Sequence, residues 1–332
     1  MSNKILVCGA GGFIGGHLVA HLMKNKDNKI VCADVKPKEF WFQLFEENEN
    51  FTCDLKEYEN CLKVTQGVDQ IFNMACNMGG MGFIENNKAE CMLSVLINTN
   101  ILRAAHINKS SKYFFSSSAC VYNGSKQSDV FIPGLKEADA YPAEPEDGYG
   151  WEKLFSERMC RHYTEDFNLD TRVARYHNIF GPVGTFDGGR EKAPAALCRK
   201  IINAKLNKEG SIDVWGDGEQ TRSFLYIDDC IKGTVDLFES NSTEVFNIGS
   251  EEQVSINQMI NMIEEIASYK VKKNYQLDKP LGVRGRSSDN TMITEKIGWS
   301  PTLNLTQGLE KTYSWIYDQI TSGSNTKKFT RS

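Results

Sequence analysis

The chain has 332 residues, 40% of them hydrophobic and 24% charged, with a net charge of −5. That length carries one large domain or two sharing a core, in a composition ordinary for a globular enzyme. The acidic balance argues against nucleic acid or a membrane surface as partner. No apolar run approaches the roughly 18–20 residues that span a bilayer, and no signal peptide is read ahead of the first strand.

Ten cysteines include no C-x-x-C pair, which suits free thiols in a reducing, cytoplasmic setting. His17 and His21 stand four apart on a predicted helix. No carboxylate or cysteine has the spacing to complete a metal site, so none is expected.

The first half alternates short apolar strands with helices. Lys4–Cys8 leads through a glycine turn into a helix ending near Lys24. Strands follow at Lys29–Asp34, Phe51–Cys53 and Gln70–Met74, then a long helix at Lys88–Ile107. Lys112–Ser116 is a fifth strand, Tyr149–Phe167 a helix and Thr171–Arg175 another strand. This alternation predicts a Rossmann-type, doubly wound parallel sheet covered on both faces. Beyond Asn178 the pattern changes. Gly181–Gly189 reads as a loop and Lys192–Lys200 as a helix with Pro194 in its first turn. Ile212–Trp215, Phe224–Ile227 and Val245–Ile248 read as strands. Ile256–Ile266 and Leu305–Ile320 read as helices, and Ser322–Ser332 as a frayed tail. The expected division is a larger strand-rich domain of residues 1–178 with 224–250, a smaller domain of 179–223 with 251–321, and a flexible tail of 322–332.

Gly9-Ala10-Gly11-Gly12-Phe13-Ile14-Gly15 joins the first strand to the first helix. Such a turn lets a pyrophosphate approach the backbone and meet helix N–H groups. Asp34 ends the second strand, where a carboxylate accepts the ribose hydroxyls of NAD, although Lys36 leaves some room for NADP. Asp54 and Leu55 end the third strand, where adenine contacts fall. NAD is therefore the expected cofactor, held by Gly9, Gly12, Phe13, Ile14, Gly15, Asp34, Asp54, Leu55, Tyr149 and Lys153.

Tyr149-Gly150-Trp151-Glu152-Lys153 is Y-x-x-x-K, which puts a phenol and an ammonium on one helix face. The lysine and a nicotinamide cation are expected to lower the phenol's pKa, so that Tyr149 can take a sugar hydroxyl's proton. Ser116-Ser117-Ser118-Ala119-Cys120-Val121-Tyr122 closes the fifth strand at the ligand crevice. Together these segments resemble the extended short-chain dehydrogenase/reductase superfamily, and the resemblance implies that Ser118 hydrogen-bonds the reacting hydroxyl.

Four further stretches are more specific: Met78–Ile84 (MGGMGFI), Tyr141–Pro145 (YPAEP), Gly188–Pro194 (GGREKAP) and Trp215–Phe224 (WGDGEQTRSF). They resemble the GDP-mannose 3,5-epimerase family over about residues 4–300. That likeness implies a GDP-sugar substrate, a homodimer, and oxidation at C4 followed by inversion at C5 and C3. It puts the acid/base pair on Cys120 and Lys192 and the redox pair on Tyr149 and Lys153. Diphosphate contacts fall on Arg222 and on Arg284 or Arg286. Gly79, Met81, Gly82, Ser118, Ala119, Glu144, Asn178, Lys192, Trp215 and Gln220 complete the implied sugar-nucleotide site. A thiol becomes a useful base where a cation favours its thiolate, and a desolvated lysine is a willing proton donor. Cys76-Asn77, Asn123-Gly124 and the lack of an extended N-terminal segment depart from the plant-type pattern, which leaves open another GDP-sugar such as a heptose. A 4,6-dehydratase would carry Asp-Glu in place of Ala119-Cys120, a simple C4-epimerase would leave Cys120 and Lys192 idle, and a non-catalytic NAD-binding regulator would lack the Tyr/Lys pair.

Overall fold

The computed structural model describes residues 3–322 and 326–330. Its centre is one sheet of seven parallel strands. In chain order these are β1 (Lys4–Cys8), β2 (Lys29–Asp34), β3 (Glu49–Thr52), β4 (Gln70–Asn73), β5 (Lys112–Ser118), β6 (Asp170–Tyr176) and, after four short strands, β11 (Val245–Ile248). They lie in the order β11-β6-β5-β4-β1-β2-β3, so the winding reverses between β1 and β4. Lys4 sits opposite Lys29 on one side and Ile5 opposite Gln70 on the other. Near-continuous burial along these strands is what two helical covers demand.

The covering helices are α1 (Phe13–Leu22), α2 (Tyr58–Val64), α3 (Met81–Asn86), α4 (Lys88–Met92), α5 (Val95–Ile107) and α6 (Asp147–Phe167). The single helix expected over Lys88–Ile107 is broken. Ser94 is buried and its hydroxyl accepts the Asn77 N–H at 2.9 Å, while i→i+3 bonds tighten the chain through Leu93 and Ser94. The expected glycine–methionine loop also gains a helix, since the chain turns helical from Met81.

The second half adds β7 (Ile179–Phe180), α7 (Ala193–Asn207), β8 (Ser211–Trp215), β9 (Thr221–Ser223), β10 (Leu225–Tyr226), α8 (Ile227–Glu239), β12 (Gln253–Ser255), α9 (Ile256–Ala267), β13 (Lys272–Gln276), β14 (Gly285–Arg286), α10 (Thr291–Ile297) and α11 (Leu305–Thr321). The strand expected over Phe224–Ile227 is two residues long and runs straight into α8. The run Phe224-Leu225-Tyr226-Ile227 is apolar enough for a strand. The stripe Ile227, Cys230, Ile231, Thr234, Leu237, Phe238 has helical spacing, and Asp228 and Asp229 in the first turn favour a helix start. Strand β9 lies between β12 and β14, and β8 pairs with β13.

Helices α9 and α11 are set by caps as well as by stripes. The Ser255 hydroxyl accepts from Gln258 N while Gln258 Oε1 accepts from Ser255 N, and Asn304 with Gln307 repeats the device. Their buried faces, Met259, Ile260, Ile263 and Leu309, Tyr313, Ile316, join a core cluster that also holds Ile5, Leu18, Phe72 and Phe246 of the main sheet and its cover. Each such fully buried aliphatic contributes about 1.5–3 kcal/mol, so Ile260→Asp would unseat α9. One core thus runs through both halves.

The tail does not fray as expected over its described part. Residues 326–328 form a helical turn, and Phe329 is buried against Phe42, Phe186 and Trp315. Its carbonyl accepts Phe186 N at 3.0 Å, and Lys328 Nζ donates to Phe42 O. An aromatic side chain with a socket outweighs the polarity of its neighbours. Residues 323–325 and 331–332 lie outside the described residues.

Candidate active site

The glycine turn is shaped by close backbone approach. Gly9 has φ +77° and its carbonyl accepts Gly12 N at 3.0 Å. A Cβ on Gly15 would lie 2.1 Å from Gly9 O, so only glycine lets α1 start so near β1. Gly12 caps α1 with no side-chain hydrogen bond, and the first turn holds no acid. The helix N–H groups are therefore available to an anion. Phe13 and Ile14 are half-buried against the core.

Asp34 is buried. One oxygen accepts Gly11 N at 3.0 Å and the other Lys36 N at 2.9 Å. These bonds fix its direction and leave lone pairs for ribose hydroxyls. Lys36, the residue that left room for NADP, spends its ammonium on Gly11 O at 2.7 Å and on the face of Phe42. Asp54 Oδ1 accepts Lys56 N, while Leu55 is core.

The redox residues meet where β5 ends against α6. The Ser118 hydroxyl accepts Cys120 N at 3.2 Å and interacts with the Tyr149 phenol. Lys153 Nζ lies 5.6 Å from the Tyr149 ring centroid and 3.7 Å from Glu152 Oε2, wholly buried and without a protein hydrogen-bond partner. Burial pushes this ammonium down, but Cys76 and Glu152 outweigh it and hold it above its ordinary value. An orphaned, charged donor beside the phenol fits a cofactor's ribose hydroxyl. Burial, with Cys76 and Cys120 adding to it, holds the phenol well above its ordinary value in the protein alone.

Cys120 follows Ser118 by two residues, 7% exposed. Arg286 Nη1 donates to its sulfur at 3.6 Å, Arg286 Nη2 to Glu146 Oε2 at 2.8 Å, and Arg286 Nε to Gln127 Oε1 at 2.6 Å. The cations expected beside the thiol are present in Arg286 and Lys192, yet burial and Glu146 push the thiol up. Lys192 sits just ahead of α7, partly buried. Burial pulls its ammonium down, with Arg286 assisting and Cys120, Cys76 and Glu146 opposing. Sulfur and amine thus feel each other across one pocket.

The outer wall comes from the second half. Arg222 is held by Thr221 O at 2.7 Å and Leu281 O at 3.0 Å. Burial, then Arg286, pull it down to about 10. Arg284 turns outward to Asp217, 3.1 Å from both carboxylate oxygens. Gln220 gives its amide N–H to Trp215 O and keeps a buried, unpartnered carbonyl oxygen. Trp215 reaches Gly82, where an added Cβ would lie 3.0 Å from the indole. Met81 meets Gly282, and Gly79 meets Phe83. Asn178 has φ +45° and donates to Ser223 O, tying the end of β6 to β9. Ala119 is core beneath Leu154. Glu144 is exposed, and Glu146, two residues on, pairs with Arg286 at the pocket.

A model of the NAD dependent epimerase/dehydratase family matches residues 5–249. GDP-mannose 3,5-epimerase 1 of Oryza sativa subsp. japonica is 48% identical over 96% of this chain and 82% of its own length. GDP-mannose 3,5-epimerase of Arabidopsis thaliana is 46% identical over 96% and 83%. The chain belongs to the NAD-dependent epimerase/dehydratase family, in its GDP-mannose 3,5-epimerase branch. UDP-glucuronic acid 4-epimerase from Bacillus cereus, solved with UDP-glucuronic acid and NAD, superposes with a TM-score of 0.80 at 28% identity, covering 96% of this chain and 99% of that one. UDP-glucose 4-epimerase from Thermotoga maritima matches in fold, with a TM-score of 0.85 at 23% identity over 96% and 99%. The family is NAD-dependent, and so is this member.

Within this epimerase, sequence reasoning missed four pocket residues. Glu146 and Glu152 flank Tyr149, and each burial only makes sense beside its cation. Cys76 packs against Tyr149 and Cys120. Arg190 reaches the glycine–methionine segment. Gly150 allows Cys120 O within 2.3 Å of where a Cβ would stand, so the helix glycine marks a strand end pressed on α6. Among the described residues no group of three or more His, Cys, Asp or Glu could hold a metal, and no helix is long and apolar enough to cross a membrane.

Proposed function

We propose that this epimerase converts GDP-D-mannose to GDP-L-galactose, and to GDP-L-gulose, through a transient C4 ketone. The observation that carries the reading is one pocket holding a thiol, a desolvated amine and the Tyr149–Lys153 pair. Residues 1–178 and 224–250 hold the cofactor. Residues 179–223 and 251–321 hold the nucleotide sugar.

The N–H groups of the Gly9–Gly15 turn take the pyrophosphate, Asp34 the adenosine ribose, Asp54 and Leu55 the adenine edge, and Lys153 the nicotinamide ribose. NAD, when bound, supplies the acceptor for the C4 hydride and a positive charge beside the phenol, and is regenerated in each turnover. Tyr149 Oη removes the C4 hydroxyl proton while Ser118 Oγ orients that hydroxyl. The ketone acidifies the C–H bonds at C5 and C3, and each inversion takes a proton from one face and returns one on the other. Cys120 and Lys192 serve the two faces. Ordinary values of 9.0 for a thiol and 10.5 for an amine lie apart, but here the thiol is raised and the amine lowered. Shifts in these opposite directions suit a relay that must give and take in turn. Arg286, innermost, positions Cys120 and Glu146. Arg222 meets the diphosphate, with Arg284 on its outer side.

Two further readings belong here. Met92, Leu93 and Leu96 of α4 and α5, and Trp151 and Phe155 of the adjacent α6, expose apolar surface, which supports a homodimer through these helices. Ten free cysteines support a reducing, cytoplasmic site of action.

The deciding experiment incubates the protein with GDP-mannose in deuterium oxide and locates label by NMR. Deuterium at both C5 and C3 is the expected result. Turnover with label at neither carbon removes the proposal.

A further inference from the structure

Two segments face each other over the pocket, and one guanidinium holds both. The roof is Asn77–Phe83, whose Met81 and Gly82 meet Gly282 and Trp215. The second segment, 187–192, ends on Lys192. Arg190 lies between them. Its Nη1 donates to Asn77 Oδ1 at 2.9 Å and to Met78 O at 3.2 Å. Its guanidinium carbon stands 3.8 Å from the centroid of Phe83. Its own carbonyl accepts Gly80 N at 3.1 Å, and a Cβ on Gly80 would lie 2.6 Å from Glu191 O. Side chain and backbone therefore grip the roof at both ends and in the middle.

The other edge of the 187–192 segment is tied to α7. Arg199 Nη2 stands 3.3 Å from both Asp187 Oδ1 and Glu191 Oε1, and Arg199 Nε donates to Phe186 O at 2.8 Å. Glu191 Oε2 accepts Gly189 N at 2.7 Å. Lys192 is the extended N-cap residue of α7, its carbonyl accepting Ala196 N at 3.0 Å, so the helix holds its backbone on one side. The two clasps hold the chain that leads into it.

We infer that Arg190 is a positioning residue that locks the Asn77–Phe83 roof to the Lys192 segment, so that covering the hexose and presenting the amine are one event. The inference rests on the proposed role of Lys192. Arg190 touches neither sugar nor cofactor in this account. Arginine is the residue type for the task, because one planar fork can hydrogen-bond in its plane and stack on a ring face. With the clasp broken, the roof parts from the amine and the ketone is left where Lys192 reaches it less often. The second inversion then lags behind the first, and singly inverted product gains share.

Amide hydrogen exchange on the NAD-loaded protein tests the lock without any sugar. In Arg190→Gln, exchange over residues 78–84 and over 189–192 is expected to rise together, on the order of 10- to 100-fold, the size of losing two hydrogen bonds and a ring contact. Phe83→Leu, which removes the ring from the roof side, is expected to loosen both segments by a smaller factor, and decides the matter if Arg190→Gln does not fold. Exchange that rises in one segment only, or in neither, overturns the inference. With GDP-mannose, the same variants should lower kcat more than they change KM and should raise the GDP-L-gulose share, with Arg190→Lys recovering part of the loss. A product ratio equal to that of the unaltered protein also overturns it. If the unaltered protein leaves GDP-mannose untouched, the function falls, and the exchange pattern still decides the clasp.

Discussion

The two walls of the crevice are made of different material. The cofactor wall is backbone: a glycine turn, a strand end and one pinned carboxylate, all within Gly9–Asp34 and anchored in the middle of the sheet. The sugar wall is side chains from separate segments, with Cys120, Glu146, Lys192, Arg222 and Arg286 brought together from across 166 residues of sequence separation. The first wall is rigid because changing it means moving strands. The second is held by charges that constrain one another.

The sharpest way to separate the walls is to remove their reacting groups singly. Tyr149→Phe should stop both reduction of bound NAD by the sugar and exchange of carbon-bound protons. Cys120→Ala should lose label at C5 and C3 by about 10²- to 10⁴-fold, yet still let sugar reduce the cofactor, as read by nicotinamide absorbance. If Cys120→Ala silences both signals alike, the walls are not separable.

Arg286→Met tests how far the sugar wall also stabilises the protein. It leaves Glu146 buried without its cation, at a cost of about 3–5 kcal/mol in thermal or denaturant unfolding. It should also raise the pH at which Cys120 reacts with an alkylating reagent, since Arg286 pulls that thiol down. An unchanged melting temperature would show that Glu146 is solvated instead.

Gly15→Ala is the matching change in the backbone wall. The new methyl meets Gly9 O, so β1 and α1 must separate, at about 1–3 kcal/mol and with loss of co-purifying NAD. Retention of NAD would mean that the turn yields more easily than its geometry implies.

A smaller effect comes from behind the pocket. His177 is fully buried, bonded to Asn247, and pushed down to about 3 by burial. Its folded value lies below the ordinary 6.5, so the unfolded chain takes a proton first as pH falls. The stabilisation is complete above that ordinary value and drains away toward the lower one. Between neutrality and pH ~5 the protein should lose about 2 kcal/mol that a His177→Gln variant does not, measured by denaturant titration at each pH.

The same contrast explains what the sequence disclosed. Parallel strands and the glycine turn are contiguous, so their signal is local, and a parallel sheet covered on both faces was readable from alternation alone. Tyr149 and Lys153 were visible because one helix carries both. Glu146 was not visible, because its place is set by Arg286, 140 residues further along the chain. The break at Ser94 and the helix inside Met78–Ile84 depend on partners far along the chain, as does the burial of Phe329. Helix α8 hid behind an apolar run that fits either period.

Arg222 has one more consequence. An arginine does not surrender its proton in a protein, so its depressed value reflects a charge held in a dry wall first and the neighbouring Arg286 second, with Glu146 opposing. An arriving anion adds to the relief that Glu146 already gives. The vestibule should therefore favour any nucleoside diphosphate, with or without its hexose, and a spent nucleotide becomes a natural brake on its own turnover.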